Sequence, residues 1–273
     1  MEILRLEQIE LTQQVAVWNE AFSDYLVPAG MDEANFVARM EKLQLSSHAS
    51  LVVKVGEELG GIALTGNRIL GGKHVSWIGG IAVVPKFRKQ GLSRKLMNAL
   101  LENDKANGIE QAWLEVISEN TPARDLYLKL GYGAVNDLVF LKGSLKDYRK
   151  VGYVLKEVFD HAKYIDSEDA LTPWQNRITS HTNVAAVWYD EKKKVGFIAY
   201  NLAKDDQGYS LSLLQVQIEK PQHILGVLQT FYDLYGAIPF TLVNQDAKAK
   251  YIPELLTQGF ETIANQIQMR KNL

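Results

Sequence analysis

Apolar residues in this chain fall into two kinds of pattern. Short apolar or alternating runs bounded by turn residues predict strands at 1–11, 49–55, 61–66, 78–84, 112–117 and 137–142. Segments in which apolar residues recur every three or four positions predict helices at 12–22, 33–43 and 91–106, and a short helix that ends at Gly131. Strands and helices in this order predict an α/β fold.

The same order of elements recurs in the second half of the chain. A hairpin at 184–202, a buried strand near 214, a helix at 222–235, a strand at 239–243 and a short helical segment at 255–261 repeat the first half. In this repeat Gly196 corresponds to Gly61, and Asn244 corresponds to Asn120. We therefore predict two domains, 1–145 and 146–273, joined by the polar segment 143–153.

Composition narrows the class of protein. Of the 273 residues, 47% are hydrophobic and 23% are charged, which is typical of a globular chain. No apolar run approaches the roughly 18 residues of a membrane span, and residues 1–11 alternate charge with Leu and Ile, unlike a signal peptide. We expect a cytoplasmic protein without a membrane partner.

Charge and residue counts argue against several chemistries. A net charge of −2 argues against a nucleic-acid partner, which requires a broad basic face. The absence of cysteine excludes disulfides, thiolate metal sites and an acyl-cysteine intermediate. The five histidines show no His-x-x-x-His pair, so we predict no metal site. Residues 66–73 lack the lysine of a phosphate loop and predict a hairpin turn instead.

The first candidate site is the strand, turn and helix at 77–94. A basic turn at 86–90 follows the apolar strand and leads directly into a helix N-terminus, where unpaired N–H groups and the helix dipole favour an anion. Gly91 lets the backbone approach a ligand closely. We expect a bulky β-branched residue at position 91 to block the ligand without unfolding the protein.

A second strand and helix follow at 112–131. Thr121 and Pro122 suit the start of a helix, and Gly131 suits a left-handed residue at its end. Together, Arg88-x-x-Gly91-x-Ser93 and Asn120-x-x-Ala-x-x-Leu-Tyr127-x-x-x-Gly-Tyr resemble motifs A and B of the GNAT superfamily of acyl-CoA-dependent N-acyltransferases. The chain departs from motif A at Ser93, where the family has Gly or Ala.

The resemblance implies an acyl-CoA N-acyltransferase fold, with a mixed central sheet flanked by helices, present as two tandem GNAT-like domains. Domain 1–145 would be catalytic. Domain 146–273 would be degenerate, because residues 217–223 lack Arg-x-x-Gly and Leu255 stands where motif B has Tyr127. The cosubstrate would be acetyl-CoA, with no metal, and a small-molecule or peptide amine would be the acceptor.

The resemblance also assigns residues to the site. The strand backbone would pair with the pantetheine arm and the turn amides would bind the pyrophosphate, giving as cofactor-binding residues Ile81, Ala82, Val83, Arg88, Lys89, Gln90, Gly91, Leu92, Ser93, Arg94, Asn120 and Tyr127. The region around the first two helices, which covers the acceptor in this family, supplies as substrate contacts Phe22, Asp24 and Tyr25. Trp77, on the motif A strand, is a further candidate for a substrate contact. For the aromatic residues among these, plain core packing is an equal alternative.

Two residues are candidates for acid–base catalysis. Tyr127 would protonate the departing thiolate, because a phenol with a reference pKa of about 10 keeps its proton near neutrality. Glu115 would be the base, since it lies five residues before Asn120 as in the ribosomal-protein alanine N-acetyltransferase branch. Trp77 occupies the other position where family members place a base, and it cannot serve as one. Core packing of Tyr127 and surface alternation at Glu115 remain alternatives.

Two functions stay open from the sequence: an amine N-acetyltransferase, and a non-catalytic acyl-CoA-binding sensor whose second domain binds a partner. Glu20, Asp24 and Glu115 favour a cationic amine, yet peptide N-termini, aminoglycosides, polyamines and amino acids all fit. Monomer and homodimer fit equally well.

Overall fold

The computed structural model describes residues 1–25, 27–145, 152–160, 162–165, 168–180, 183–189 and 192–273. Most of the predicted linker at 143–153 lies outside these described residues. Internal contacts divide the chain into two units. The first contains Met1–Glu115, Pro122–Gly133 and Met269–Leu273, and the second contains Val116–Thr121 and Ala134–Gln268.

The first unit is built on strands β1 Glu2–Arg5, β2 Leu51–Val55, β3 Glu58–Leu70, β4 Lys73–Val83 and β5 Gln111–Ile117. Its helices are α1 Leu11–Ala21, α2 Glu33–Lys42, α3 Leu92–Ala106 and α4 Thr121–Lys129. Strands β1 to β4 are antiparallel neighbours in chain order, and β5 pairs with β4 in parallel. The predicted mixed α/β sheet is therefore confirmed.

Several predicted elements are wrong in extent. β3 continues to Leu70 and β4 begins at Lys73, so the hairpin turn predicted over 66–73 is confined to Gly71 and Gly72. The strand predicted over 1–11 ends at Arg5, and Leu6–Gln8 form a 3-10 turn. The Arg5 amide donates to Gln8 Oε1 at 2.8 Å, which closes the turn, and Leu6 is fully buried. Burial of one leucine and a local side-chain hydrogen bond therefore outweigh the alternating pattern.

The second unit contains β6 Gly133–Gly143, β7 Tyr153–Glu157, α5 Ala162–Ile165, β8 Val184–Tyr189, β9 Lys193–Asp205, β10 Gly208–Ile218, α6 His223–Tyr235, β11 Phe240–Asp246, α7 Ile252–Thr257 and β12 Glu261–Asn272. Strands β7 to β10 are antiparallel neighbours in chain order, and β11 pairs in parallel with β10 and antiparallel with β6. This order repeats β1 to β5 of the first unit, so the predicted tandem architecture is confirmed.

The register of strand pairing confirms that Gly61 and Gly196 occupy equivalent positions in the two repeats. Gly61 pairs with Val83 and Gly196 pairs with Ile218, and the hairpin pairing shifts register beside each glycine. A Cβ on Gly61 would lie 2.8 Å from the Ala82 carbonyl oxygen, and one on Gly196 would lie 2.0 Å from that of Gln217. Glycine is required at both places because the neighbouring backbone is too close for a side chain.

The predicted match of Asn244 with Asn120 is wrong. Parallel pairing ends at Leu114 on β5 and at Leu242 on β11, so Asn244 corresponds to Val116. Asn120 lies beyond the end of β5, where its amide donates to the Ile117 carbonyl.

The two units do not follow the predicted boundary at 145. Strand β6 belongs to the second unit, where Leu141 pairs with Leu242. The last five residues belong to the first unit, where the Leu273 amide donates to the Glu110 carbonyl at 3.0 Å and Arg270 lies over the Trp113 ring. The division of the chain into evolutionary domains at 145 stays a prediction. No helix in the described ranges is long and apolar enough to cross a membrane.

One buried acid makes the stability of the first unit depend on pH. Asp104 lies on α3 beneath β4, where Ser76 Oγ donates to its carboxylate at 2.6 Å. Burial raises the pKa of Asp104 from 3.8 to about 6, although the Ser76 hydrogen bond opposes the shift. The folded state therefore keeps a proton that the unfolded state releases, and the free energy of unfolding falls as pH rises from about 4 to 6.

We predict that Asp104→Asn raises the free energy of unfolding at pH 8 by up to about 3 kcal/mol, because it removes the charge that burial disfavours. The gain should shrink toward zero near pH 4. Urea unfolding at both pH values measures this, with Glu102→Gln, an exposed acid on the same helix, as the matched control. A gain that is equal at the two pH values would contradict the assignment.

Candidate active site

The first unit has an opening between its two parallel strands. Pairing of β4 with β5 ends at Ile78 and Leu114. Directly after this pairing ends, the register between β4 and β3 shifts by one residue. Gly79 is the extra residue on β4 and forms a β-bulge. We call residues 79–83, the part of β4 beyond this pairing, the strand opening. Residues 79–82 are half-buried, so this backbone is accessible.

The turn that follows the opening has a backbone suited to an anion. Lys89 has φ +61° and Gly91 has φ +79°, and left-handed residues in a turn make successive N–H groups converge. Such a φ is unfavourable for lysine, and strained backbone of this kind concentrates at binding sites. We call residues 88–94 the anion turn.

Helix α3 adds its own donors to the anion turn. No side chain caps the helix at Gly91, and its first intrahelical bond runs from the Lys95 amide to the Gly91 carbonyl. The amides of Leu92, Ser93 and Arg94 therefore have no partner within the helix. Together with the helix dipole, they favour a phosphate at this place.

The Arg88 side chain turns away from the anion turn toward the loop after α1. Its Nη1 and Nη2 each donate to one oxygen of Asp24 at 2.6 Å, its Nη2 also donates to the Ala21 carbonyl, and its Nε donates to the Val83 carbonyl at 3.0 Å. Hydrogen bonding by Arg88 lowers the pKa of Asp24 and raises that of Arg88. The carboxylate expected to contact substrate is thus engaged by a motif A residue.

Tyr127 lies at the C-terminal end of α4 and is buried. Burial raises its pKa above the ordinary value of 10, and the nearby Tyr25 phenol raises it further. The Lys271 ammonium donates to the Leu130 carbonyl, just beyond α4. A residue from the end of the chain therefore helps to fix the helix that carries Tyr127.

Glu115 and Trp77 are neighbours on one face of the sheet. Trp77 Nε1 donates to Glu115 Oε2 at 2.7 Å, and Trp77 is buried while Glu115 is half-buried. Ser76 points to the opposite face, toward Asp104, so Trp77 and Glu115 lie on the face away from α3. The alternative that Glu115 is only a surface residue of an alternating strand does not describe a half-buried side chain that accepts a hydrogen bond from Trp77.

Two of the remaining predicted contacts belong to an aromatic cluster. Phe22 is buried with its ring centroid 4.3 Å from that of Trp18, and Tyr25 meets the Phe22 ring edge-on at 5.2 Å. Asn120, in the loop after β5, is half-buried. Their roles toward substrate and cofactor stay predictions.

Arg39 is a residue that the sequence reasoning missed. It comes three residues after the buried Phe36 on α2, so helical spacing places it on the apolar face. Its Nη2 donates to the carbonyl of Gly79 at 2.7 Å, and its guanidinium lies 5.6 Å from the Trp18 ring centroid. The sequence signal that could have identified Arg39 is an arginine on the apolar face of a predicted helix.

The second unit has the same strand geometry, but a side chain bridges it. Parallel pairing of β10 with β11 ends at Leu213 and Leu242, and Leu214 is the extra residue that corresponds to Gly79. The buried Asn176 donates through Nδ2 to the carbonyls of Leu214 at 2.5 Å and Val243 at 2.7 Å. These hydrogen bonds link β10 to β11 at the position where the pairing of the two strands ends.

The second unit also lacks the anion turn. Gln222, which precedes α6, has φ −63°, and Pro221 has no N–H to offer.

The ends of α7 and α4 have the same geometry. Gly259 after α7 has φ +85° and Gly131 after α4 has φ +86°. The Phe260 amide donates to the Leu255 carbonyl, just as the Tyr132 amide donates to the Tyr127 carbonyl. The predicted correspondence of Leu255 with Tyr127 is confirmed.

Comparison with known proteins identifies the class to which this fold and site belong. Residues 5–132 match the acetyltransferase (GNAT) family. That segment, slightly less than half of the chain, is therefore similar to the GNAT family of acetyltransferases.

Individual relatives agree with the family. The ribosomal protein bS18-alanine N-acetyltransferase of Haemophilus ducreyi is 42% identical over 55 residues, covering 20% of this chain and 38% of that protein. The N-terminal acetyltransferase B complex catalytic subunit NAA20 of Arabidopsis thaliana is 40% identical over 80 residues, covering 24% and 45%. The chain thus spans less than half the length of these curated relatives.

Similarity of structure extends over the whole chain. A tandem GNAT protein from the clavulanic acid biosynthesis pathway superposes with a TM-score of 0.67 at 12% identity, covering 99% of this chain and 98% of that one. At this identity the likeness concerns the fold.

The conformation of Gly91 corrects the expected effect of substitution there. A side chain at φ +79° is strained, so a β-branched residue would destabilise the protein as well as meet the ligand. Apart from its neighbours along the chain and the backbone of α3, no atom of the described residues lies within 4 Å of a Cβ on Gly91, so the added atom would project into open space.

We predict that acetyl-CoA binds once per chain and that Gly91→Ala weakens this binding at least tenfold while lowering stability by about 1 kcal/mol. Calorimetry gives stoichiometry and affinity. Gly108→Ala is the matched control, because Gly108 has φ +70°, equally empty surroundings and a position at the other end of α3. Two equivalent sites per chain, or equal loss of affinity in both variants, would contradict the prediction.

Proposed function

We propose that this chain is an N-acetyltransferase that transfers an acetyl group from acetyl-CoA to a primary amine by direct attack in a ternary complex. One observation carries the proposal: the strand opening and the anion turn are open in the first unit, whereas Asn176 bridges the same place in the second. Catalysis is therefore assigned to the first unit.

The residues present fit acetyl-CoA. The strained turn at Lys89 and Gly91 and the uncapped α3 amides suit a pyrophosphate, and the backbone of 79–83 offers an unpaired strand edge to the pantetheine arm. Bound acetyl-CoA would supply a thioester as acyl donor and a thiolate as leaving group. Arg88 contributes its backbone, since its side chain is engaged by Asp24, Ala21 and Val83.

The amide of Val83 is the candidate that polarises the reacting carbonyl. The Val84 amide bonds back to Gly60 on β3 at 3.0 Å. Successive amides of a strand point in opposite directions, so the Val83 amide points away from β3, into the opening. A fixed donor aimed there would stabilise negative charge as it develops on oxygen.

Glu115 is the proposed base. The Trp77 indole holds one carboxylate oxygen, which fixes the orientation of the side chain on the acceptor face. A carboxylate so placed can take the proton from an ammonium directly or through one water, leaving the neutral amine that attacks.

Tyr127 is the proposed hydrogen-bond donor to the leaving thiolate. Its raised pKa keeps the phenol protonated throughout the working range of pH. Because a thiol has a reference pKa of only about 8.5, complete transfer of the phenolic proton is uphill. Tyr127 therefore acts by donating a hydrogen bond to sulfur, and solvent supplies the proton that finally remains there.

We predict that Tyr127→Phe lowers turnover ~10²- to 10³-fold with little change in acetyl-CoA affinity, because the variant loses only the hydroxyl that donates to the developing thiolate. Steady-state kinetics and calorimetry measure this. Tyr132→Phe is the matched control: Tyr132 is also buried, and its hydroxyl has no hydrogen-bond partner among the described residues. A loss below about threefold for Tyr127→Phe, or equal losses in both variants, would assign Tyr127 to the core.

We predict that Glu115→Gln shows a turnover defect that shrinks as pH rises toward the pKa of the acceptor amine, because more of the amine is then already neutral. The ratio of wild-type to variant kcat/KM across pH measures this. A defect that stays constant over that range would assign Glu115 to substrate positioning.

The proposal as a whole is tested by CoA release from acetyl-CoA against a panel of primary amines, together with mass spectrometry of the acetylated product. Amide formation supports the enzyme. Tight acetyl-CoA binding by the wild type with no CoA release for any amine would overturn it in favour of the acyl-CoA sensor.

A further inference from the structure

We infer that Arg39 forms an anion subsite for the acceptor, and that the acceptor is an amine carrying a carboxylate a few bonds from its nitrogen, as in a free amino acid. This inference rests on the proposed function for the position of the reacting amine. The inference also rests on the groups that surround Arg39 and on the contact between Arg39 and Gly79 in the strand opening.

Arg39 is half-buried, and its guanidinium has no acidic partner among the described residues. Its Nε is fully buried and has no hydrogen-bond partner among the described residues. Its Nη2 bonds to the Gly79 carbonyl, which carries no net charge, and the Trp18 ring lies beneath the guanidinium. Desolvation lowers the pKa of Arg39, and no neighbouring carboxylate offsets this effect.

A structural role alone does not explain a charge at this place. The Gly79 carbonyl, left over by the bulge, needs one donor, and a neutral amide would supply it with a much smaller desolvation penalty. A guanidinium has five N–H donors in a planar fork that matches a carboxylate. The arrangement keeps positive charge available for an anion that the chain itself does not provide.

Trp77 links this charge to the proposed base. A Cβ on Gly79 would lie 2.8 Å from Cζ3 of Trp77, so the six-membered ring of the indole adjoins Gly79. The Nε1 at the other side of the same indole donates to Glu115. One tryptophan side chain therefore spans the distance from Glu115 to the residue that Arg39 contacts.

This spacing selects the acceptor class. An amine that loses its proton to Glu115 and an acid that meets Arg39 are separated by about the width of an indole, which fits a small molecule with both groups. A carboxylate is preferred to a phosphate because the one positive charge of a guanidinium balances a carboxylate but only part of the charge of a phosphate monoester. Asp24, which would have favoured a polycation, is paired with Arg88.

The experiment compares each amino acid with its own carboxamide as acceptor, in the full-length wild type and in Arg39→Gln. The ratio of kcat/KM for acid over amide should be at least tenfold higher in the wild type than in Arg39→Gln. Comparing this ratio between proteins cancels the difference in amine pKa within each pair. Lys105→Gln, an exposed cation on α3, controls for the loss of one charge and should retain the wild-type ratio.

A binding measurement separates this inference from the proposed function. Calorimetric titration of the amino acid into protein saturated with CoA should show at least tenfold weaker affinity for Arg39→Gln than for the wild type. If no amine releases CoA, the proposed function fails, and this titration still decides whether Arg39 binds a carboxylate.

Two results would overturn the inference. The first is an acid-to-amide ratio that Arg39→Gln leaves unchanged, which would assign Arg39 to the Gly79 carbonyl alone. The second is a preference for O-phosphoethanolamine over ethanolamine that Arg39→Gln removes while the acid-to-amide ratio stays the same, which would show a phosphate subsite instead.

Discussion

The first unit depends on the separation of two parallel strands. Once β4 acquires an extra residue at Gly79, it stops pairing with β5, and its backbone donors and acceptors on that side have no ladder partners. Unpaired backbone groups in a half-buried place are costly unless a ligand, water or side chain satisfies them. The opening that makes a binding site is thus also a local weakness of the sheet.

The two units resolve this weakness differently. In the second unit, Asn176 supplies an amide that reaches carbonyls of both strands, so the protein satisfies its own backbone. In the first unit, Arg39 covers only the Gly79 carbonyl, and residues beyond it remain accessible. The same strand geometry therefore yields a closed structural element in one unit and a ligand-binding edge in the other.

Arg88 joins three parts of the site. Its side chain connects the end of β4 at Val83 with the end of α1 at Ala21 and with Asp24 in the loop that follows, while its backbone begins the anion turn. Placement of the anion turn is thereby tied to the loop after α1, which is proposed to cover the acceptor. The ion pair between Arg88 and Asp24 is partly exposed, so it contributes more to positioning these elements than to the free energy of unfolding.

Local sequence determined most of the elements and the character of the site. Helical periodicity defined α1, α2 and α3 to within a residue or two at each end, and Gly131 was recognisable as the end of α4 because only glycine readily adopts its left-handed conformation. The anion turn followed from a basic loop before a helix, since helix N-termini always present free amides. The repeat was visible because element order survives divergence of side chains.

Tertiary structure alone decided what depends on contacts distant in sequence. Nothing local indicated that Leu273 and Arg270 would pack against Glu110 and Trp113, because strand partners are chosen by register and burial across the whole chain. The engagement of Asp24 by Arg88, and the bridge of Trp77 between Glu115 and Gly79, likewise arise from strand pairing and helix packing. Sequence supplied the chemical groups, and the fold decided which of them meet, because side-chain pairing is set by distances that periodicity does not contain.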